Sequence, residues 1–350
     1  MKKFFSIGLG LVAVSPAMAQ SSVRVYGVVD QFVQYAKMGG ASETGLSDGG
    51  VAASRFGFTG QEDLGGGLSA SFRLEAGFDA DTGGGNLPGP SIAFTRTSTV
   101  GLGGHWGRID AGRMFTPLFN SLAPADPFGI NASFSPLNLL SANDGQPGLV
   151  RYASRASNMV YYRTPERLPF AAHVAFSSGE AGSAGNHSGD LFGASIGYRS
   201  ERFYISYALQ KTHGGTAAVP QLNPRVSTYQ AISGYFNATP TVRLYGNFIH
   251  ADAGDRAVED ASMVNLGASW EVGASEFRVG ATRRRVEGSA RAQVLWVLGY
   301  DYSLSKRTTL YGRVLHLKNR GGSTATLSSL PVGVPGSDGT SFGIGVSHRF

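Results

Sequence analysis

The chain has 350 residues, 50 of them glycine and none cysteine; 15% are charged, and the formal net charge is +6. Without cysteine there is no disulfide framework, thiolate nucleophile or thiolate metal site. The basic excess is mild and contains no dense Lys/Arg run, so it offers no footprint for a nucleic-acid backbone. Abundant glycine with few charges suits many short strands and tight turns better than a helical enzyme. A mean hydropathy of −0.07 is the average expected when half of each strand faces water.

At the N-terminus, Lys2 and Lys3 precede a short apolar run, Phe4 to Val14, and Ala17-Met18-Ala19 follows with small-x-small spacing. Residues 1–19 are therefore expected to be a signal peptide, leaving 20–350 as the mature domain. The apolar run is too short for a spanning helix, and no later stretch reaches about 18 apolar residues. Loss of the two lysines leaves 28 basic against 24 acidic side chains, a mature charge of +4.

From Val23 onward the chain alternates. Val25 to Asp30 reads as a first strand. In the second, Arg55 lies opposite Phe56 and Phe58. In the third, Ser69, Ser71, Arg73 and Glu75 share one face, while Phe72 and Leu74 share the other. Arg96 falls in the fourth, and Arg151 and Arg155 have the same parity in the sixth. Phe192, Ala194, Ile196 and Tyr198 follow, then Phe203, Ile205, Tyr207 and Leu209. Arg243 sits between Val242 and Leu244. Val264 to Val272, Val294 to Tyr302 and Phe342 to Phe350 repeat the pattern. A half-buried strand of a soluble sandwich alternates too, so the argument rests on repetition over the whole mature chain.

The connections alternate between tight and long. Tight ones are expected at 63–67, 103–107, 165–169, 200–201, 239–240, 273–275 and 305–306. Long polar ones are expected near 37–50, 80–91, 115–148, 179–189, 213–225, 252–260 and 319–338. The rhythm is that of an outer-membrane barrel of about 16 antiparallel strands, wide enough for an aqueous lumen. Tyr198, Phe203, Trp270, Phe277 and Tyr302 flank tight turns, as interface aromatics do. An arginine facing lipid at mid-membrane would cost about 2–4 kcal/mol, so the arginines of the alternating strands are expected to face the lumen.

One segment has no strand period. Met114 to Gly148 is rich in Pro, Asn and Ser, carries Phe115, Phe119, Phe128 and Phe134, and has only Asp126 and Asp144 as ionisable residues. Structureless stretches of this length are usually functional or disordered. So many aromatics suit a loop folded into the barrel, where its acids would face the arginines and set a transverse field.

Gly193-Ala-Ser-Ile-Gly197 matches G-x-S-x-G, but a nucleophile elbow needs a strand-to-helix turn, and Ser195 lies inside an alternating strand. The seven histidines show no ligand spacing. No enzyme, cofactor or metal site is expected.

These residues resemble the trimeric general diffusion porins of Gram-negative outer membranes, in their β-proteobacterial form. The resemblance is carried by Val25 to Asp30, by Ser54-Arg-Phe-Gly-Phe-Thr-Gly-Gln-Glu-Asp-Leu-Gly-Gly-Gly-Leu68 and by Val100-Gly-Leu102 with Gly112-Arg113. Tyr300 to Tyr311 and the ending Gly345 to Phe350 complete it. It implies a 16-stranded barrel with its third external loop inside the lumen, assembled as a homotrimer in outer-membrane lipid. Arg55, Arg96 and Arg151 match the basic constriction wall, with Arg155 competing for the last place. Glu75, beside Arg73, and Asp126 match acidic positions. Arg113 and Asp144 complete the expected constriction set, and Phe350 looks like the signal read by the barrel-assembly machinery. The implied function is passive diffusion of small hydrophilic solutes and ions with weak anion preference. A selective sugar or organic-acid channel, recognisable by an arginine ladder beside an aromatic track, is the alternative; an outer-membrane hydrolase or adhesin ranks lower.

Overall fold

The computed structural model describes residues 22–85, 92–140, 152–179, 187–215, 221, 223–254, 260–331, 334 and 336–350. The expected signal peptide, Asp144 and Arg151 lie outside the described residues.

Seventeen strand segments follow in chain order. The first four are β1 (Ser22–Met38), β2 (Ala41–Asp48), β3 (Arg55–Gly65) and β4 (Leu68–Gly77). Next come β5 (Thr97–Gly104), β6 (Gly107–Phe115), β7 (Arg155–Arg163), β8 (Phe170–Ser177) and β9 (Leu191–Arg199). Then β10 (Phe203–His213), β11 (Val226–Asn237), β12 (Val242–Asp252) and β13 (Ala261–Val272). The last are β14 (Ser275–Val286), β15 (Ala292–Ser303), β16 (Thr308–Arg320) and β17 (Gly339–Arg349). Every neighbour is antiparallel, and β17 returns to β1 with Arg349 opposite Val28 and Gly339 opposite Met38.

Both β2 and β3 pair with β1: Ala41 to Asp48 with Met38 to Gln31, and Arg55 to Gln61 with Val28 to Ser22. They form one barrel strand interrupted at 49–54, so the seventeen segments make a closed 16-stranded barrel. Asp30 creates the interruption. Its buried carboxylate accepts the backbone N–H groups of Gly50 (2.9 Å), Val51 (3.1 Å) and Ala52 (3.0 Å) and the Tyr311 hydroxyl (2.5 Å). The chain bulges around it.

Alternation sorts the side chains. In β17, Phe342, Ile344 and Val346 stand outward, Ile344 being 76% exposed, while Ser341 and Ser347 are buried inside. The outward apolar surface is what lipid would cover. Ring pairs cluster at its tight-turn rim, with Tyr198 on Phe203 (5.5 Å), Trp270 on Phe277 (5.7 Å) and Phe277 on Tyr300 (5.1 Å).

The connections correct two expectations. Residues 37–50 are not an open loop but a hairpin, turning at Gly39-Gly40 where φ is 54° and 87°. A further connection between β14 and β15, after Val286, escaped the reading.

The long aperiodic segment, in its described part to Leu140, folds against the inner wall. It forms α1 (Pro117–Leu122) and two 3-10 turns, Ala123–Ala125 and Pro136–Leu140. Thr116 caps α1 by accepting the Phe119 N–H at 3.3 Å. Leu118, Leu122, Phe134 and Leu137 are fully buried against inward residues such as Phe32, Ile249 and Leu295, each such burial contributing about 1.5–3 kcal/mol. Wall glycines make the seats: Pro117 fills the space a Cβ on Gly193 would need, and Phe134 does the same at Gly343. The apolar core of this protein thus lies between the loop and the barrel.

Candidate functional site

The β1–β3 and β3–β4 registers bring Tyr26 opposite Gly57, Gly57 opposite Glu75, and Thr59 opposite Arg73. Gly57 has no side chain, so the Tyr26 ring lies across it, where a Cβ would approach the ring to 2.8 Å. The Tyr26 hydroxyl reaches Glu75 Oε2 at 2.9 Å and accepts from Arg73 Nε at 2.7 Å.

Glu75, 2% exposed, is the centre of an arginine cluster. Arg73 Nη2 donates to Oε2 at 2.8 Å, Arg96 Nε to Oε1 at 2.9 Å, and Arg55 Nε stands 3.7 Å from Oε2. Arg55 also donates to the Ala53 carbonyl at 2.9 Å, tying the cluster to the bulge set by Asp30. One carboxylate thus serves three guanidinium groups.

Arg155 opens β7 opposite Phe115. Its guanidinium carbon lies 3.7 Å from the centre of the Phe115 ring, and Phe119 stacks on Phe115 at 3.9 Å and 4°. These groups line a space of ≈ 840 Å³ bounded by Arg55, Arg73, Glu75, Arg96 and Arg155 on one side and by Gly129 to Ala132 of the inner loop on another. Among the described residues, four arginines and one glutamate leave this lining at +3.

Below it lies a second polar space of ≈ 320 Å³, with Arg73, Arg108, Asp110 and Arg163 in its wall. Arg108 Nε is 2.8 Å from Asp110 Oδ1, and Arg163 pairs with the other carboxylate oxygen. The arginines therefore continue as a ladder along one wall. On the far wall Arg278 meets Glu276 (2.5 Å) and Asp301 (3.0 Å), while Arg313 meets Asp301 (2.6 Å). Two bases and two acids balance there, and Arg278 also holds the Pro127 carbonyl of the inner loop.

The structure brings together Arg55, Arg73, Glu75, Arg96 and Arg155 of the expected set. Arg113 does not line the ≈ 840 Å³ space; its guanidinium binds the Thr95 carbonyl and the Ser157 hydroxyl. Asp126 departs from its expected role. Its carboxylate turns into the loop, accepting from Ile130 N–H (2.7 Å), Phe128 N–H (3.3 Å) and the Ser135 hydroxyl (2.6 Å). Burial pushes this carboxyl above its ordinary range, against the pull of those three donors and the Arg278 charge. Among the described residues the loop presents no acid to the arginine wall.

The sequence reading also missed contributors. Arg108, Asp110 and Arg163 could have been found by strand parity. Thr326 to Ser328 and Leu330, from the last long connection, also border the larger space, and their segment shows no period. Ser195 lies within β9, with its Oγ 3.4 Å from His173 Nδ1; no nucleophile elbow is built there.

The family profile described as Gram-negative porin matches residues 8–322. Outer membrane porin protein 32 of Delftia acidovorans is 32% identical, covering 100% of both chains. An outer membrane porin protein of Bordetella pertussis is 27% identical over 95% of this chain and 96% of its own. Among solved structures, an anion-selective porin from Comamonas acidovorans superposes with a TM-score of 0.78 at 26% identity, covering 95% of this chain and 100% of that one. OmpT of Vibrio cholerae, at 13% identity and a TM-score of 0.68, shares the fold.

Proposed function

The chain belongs to the Gram-negative porin family, and on that premise we propose that it selects anions by a one-sided arginine wall. It is an outer-membrane porin, a β-barrel channel for solutes and ions. The observation that carries the selectivity is the +3 lining at the arginine cluster, where Glu75 is shared by three guanidinium groups and the facing loop keeps Asp126 turned away. A positive lining in a narrow, low-dielectric passage raises the local anion concentration and opposes cations. The similar structure described as an anion-selective porin supports the same sign.

Reversal potentials of the purified protein in planar bilayers under a KCl gradient test this. Anion preference is expected at 0.1 M and should weaken at 1 M, as the screening length falls from about 10 Å to about 3 Å. A clear preference for potassium would overturn the reading.

Three further assignments belong to the same reading. Residues 1–19 are removed on export, so the mass of the mature protein should correspond to a start at Gln20. The working unit is a homotrimer, which crosslinking in the outer membrane would reveal. Phe350 is presented to the barrel-assembly machinery during biogenesis. The barrel conducts passively and performs no catalysis; the strand-internal position of Ser195 supports that view.

A further inference from the structure

We propose that the passage beside Arg155 favours aromatic monocarboxylates over small aliphatic or inorganic anions. The inference rests on the anion-selective reading and names the solute class that the site suits best.

Arg155 differs from its neighbours. Arg55, Arg73 and Arg96 share the Glu75 carboxylate, whereas Arg155 has no carboxylate within salt-bridge distance among the described residues. Its buried Nε has no hydrogen-bond partner. It is positioned instead by the face of Phe115, 3.7 Å from its guanidinium carbon. A cation held on an aromatic ring keeps its position without being neutralised. This is a fixed positive group with unused donor capacity, bordering open space.

The rest of that space is unlike an ordinary charge filter. Phe119 extends the ring stack, parallel to Phe115 at 3.9 Å. Ile130, at the tip of the inner loop, and Leu327, from the last long connection, border the same volume. Among the described residues the loop side brings no acid that would set a transverse field; Ile130 and Leu327, interspersed with Asn131 and Thr326, make the passage amphipathic. Phe115 has Arg155 on one face and Phe119 on the other, so a carboxylate can take the guanidinium donors while a flat apolar body lies against Phe119, the edge of Phe115 and the aliphatic side chains. Chloride uses only the first half of this site and acetate little of the second. Ring contacts of this kind favour planar partners.

Bi-ionic reversal potentials with sodium benzoate, cyclohexanecarboxylate and acetate, together with block of chloride current by each, test the proposal on the intact porin. Benzoate is expected to block at roughly tenfold lower concentration than acetate, with cyclohexanecarboxylate between them, an estimate based on partial burial of one ring. Phe119→Leu should lower the benzoate-to-acetate ratio several-fold, and Phe115→Leu should lower it further by freeing Arg155. Unchanged barrel mobility on unheated gels confirms that each variant is folded. Equal block by benzoate and acetate in an anion-selective wild type would overturn this inference alone. Potassium preference of the wild type in KCl would remove the underlying reading as well. A ratio that survives both substitutions would also overturn it.

Discussion

Asp126 accepts the backbone N–H of Ile130 at 2.7 Å, and Ile130 stands at φ = 51°, a left-handed conformation that a β-branched residue rarely adopts. Gly129, at φ = 62°, shares the turn. Strain of this sort persists only where surrounding bonds over-determine it, at a cost of order 1–3 kcal/mol. The Asp126 carboxylate supplies those bonds, with Phe128 N–H and Ser135 as further donors. Asp126 therefore shapes the passage without charging its surface.

Asp126→Ala should then leave the sign of ion selectivity unchanged while loosening the loop tip. Three donors lose their acceptor, each left-over buried group costing about 1–3 kcal/mol. Thermal unfolding should shift downward and open-channel current noise should rise. A large gain in anion preference instead would mean that the carboxylate does face the lumen.

Glu75→Gln has the opposite profile. It removes the one acid among the described residues lining the larger space, taking that lining from +3 to +4. Anion preference should increase, read as a larger reversal potential in dilute KCl. Stability should fall, because Arg96 is only 8% exposed and removing one partner of a buried pair costs about 3–5 kcal/mol. Selectivity that stays constant would place the controlling charges elsewhere.

Gly267→Val tests the seat of the inner loop. A Cβ there would stand 2.7 Å from Pro127 Cγ and 3.0 Å from the Val279 carbonyl oxygen. The carbonyl belongs to the adjacent strand, so Pro127 is the part that must yield, moving toward the lumen. Overpacking of this kind costs about 1–3 kcal/mol, and single-channel conductance should drop. Gly246, where the nearest atom to a Cβ is Leu266 Cδ2 at 3.9 Å, is the control: Gly246→Ala should conduct as the wild type does.

How far the sequence reveals this arrangement depends on whether a segment lies between two solvents. Where one face meets lipid and the other water, side chains alternate, and parity alone put Arg55, Arg73 and Glu75 on one wall. Residues 41–48 are strand as well, but both their faces are largely exposed, so no alternation marks them and they read as loop. The inner loop was legible by its many aromatics, which need a surface to cover. The direction of Asp126 was not, because an aperiodic segment has no face to count from. Leu327 and Leu330 escaped for the same reason.

Phe350 closes the barrel, exchanging two backbone hydrogen bonds of 3.1 Å with Gly27 while its ring covers the place where a Gly27 side chain would begin. The geometry shows a seam contact in the finished barrel, and the proposed assembly signal would be a second role on the same residue. Phe350→Ala separates them. The backbone bonds do not need the ring, and Phe350 is 49% exposed, so its loss removes limited packing. Protein refolded in detergent should conduct as the wild type does, with stability lowered by about 1 kcal/mol, since about half of the residue is buried. In cells, the amount reaching the outer membrane should fall severalfold, with unfolded chain accumulating before insertion. Normal delivery with a weakened barrel would reverse the assignment and leave Phe350 as a seam residue alone.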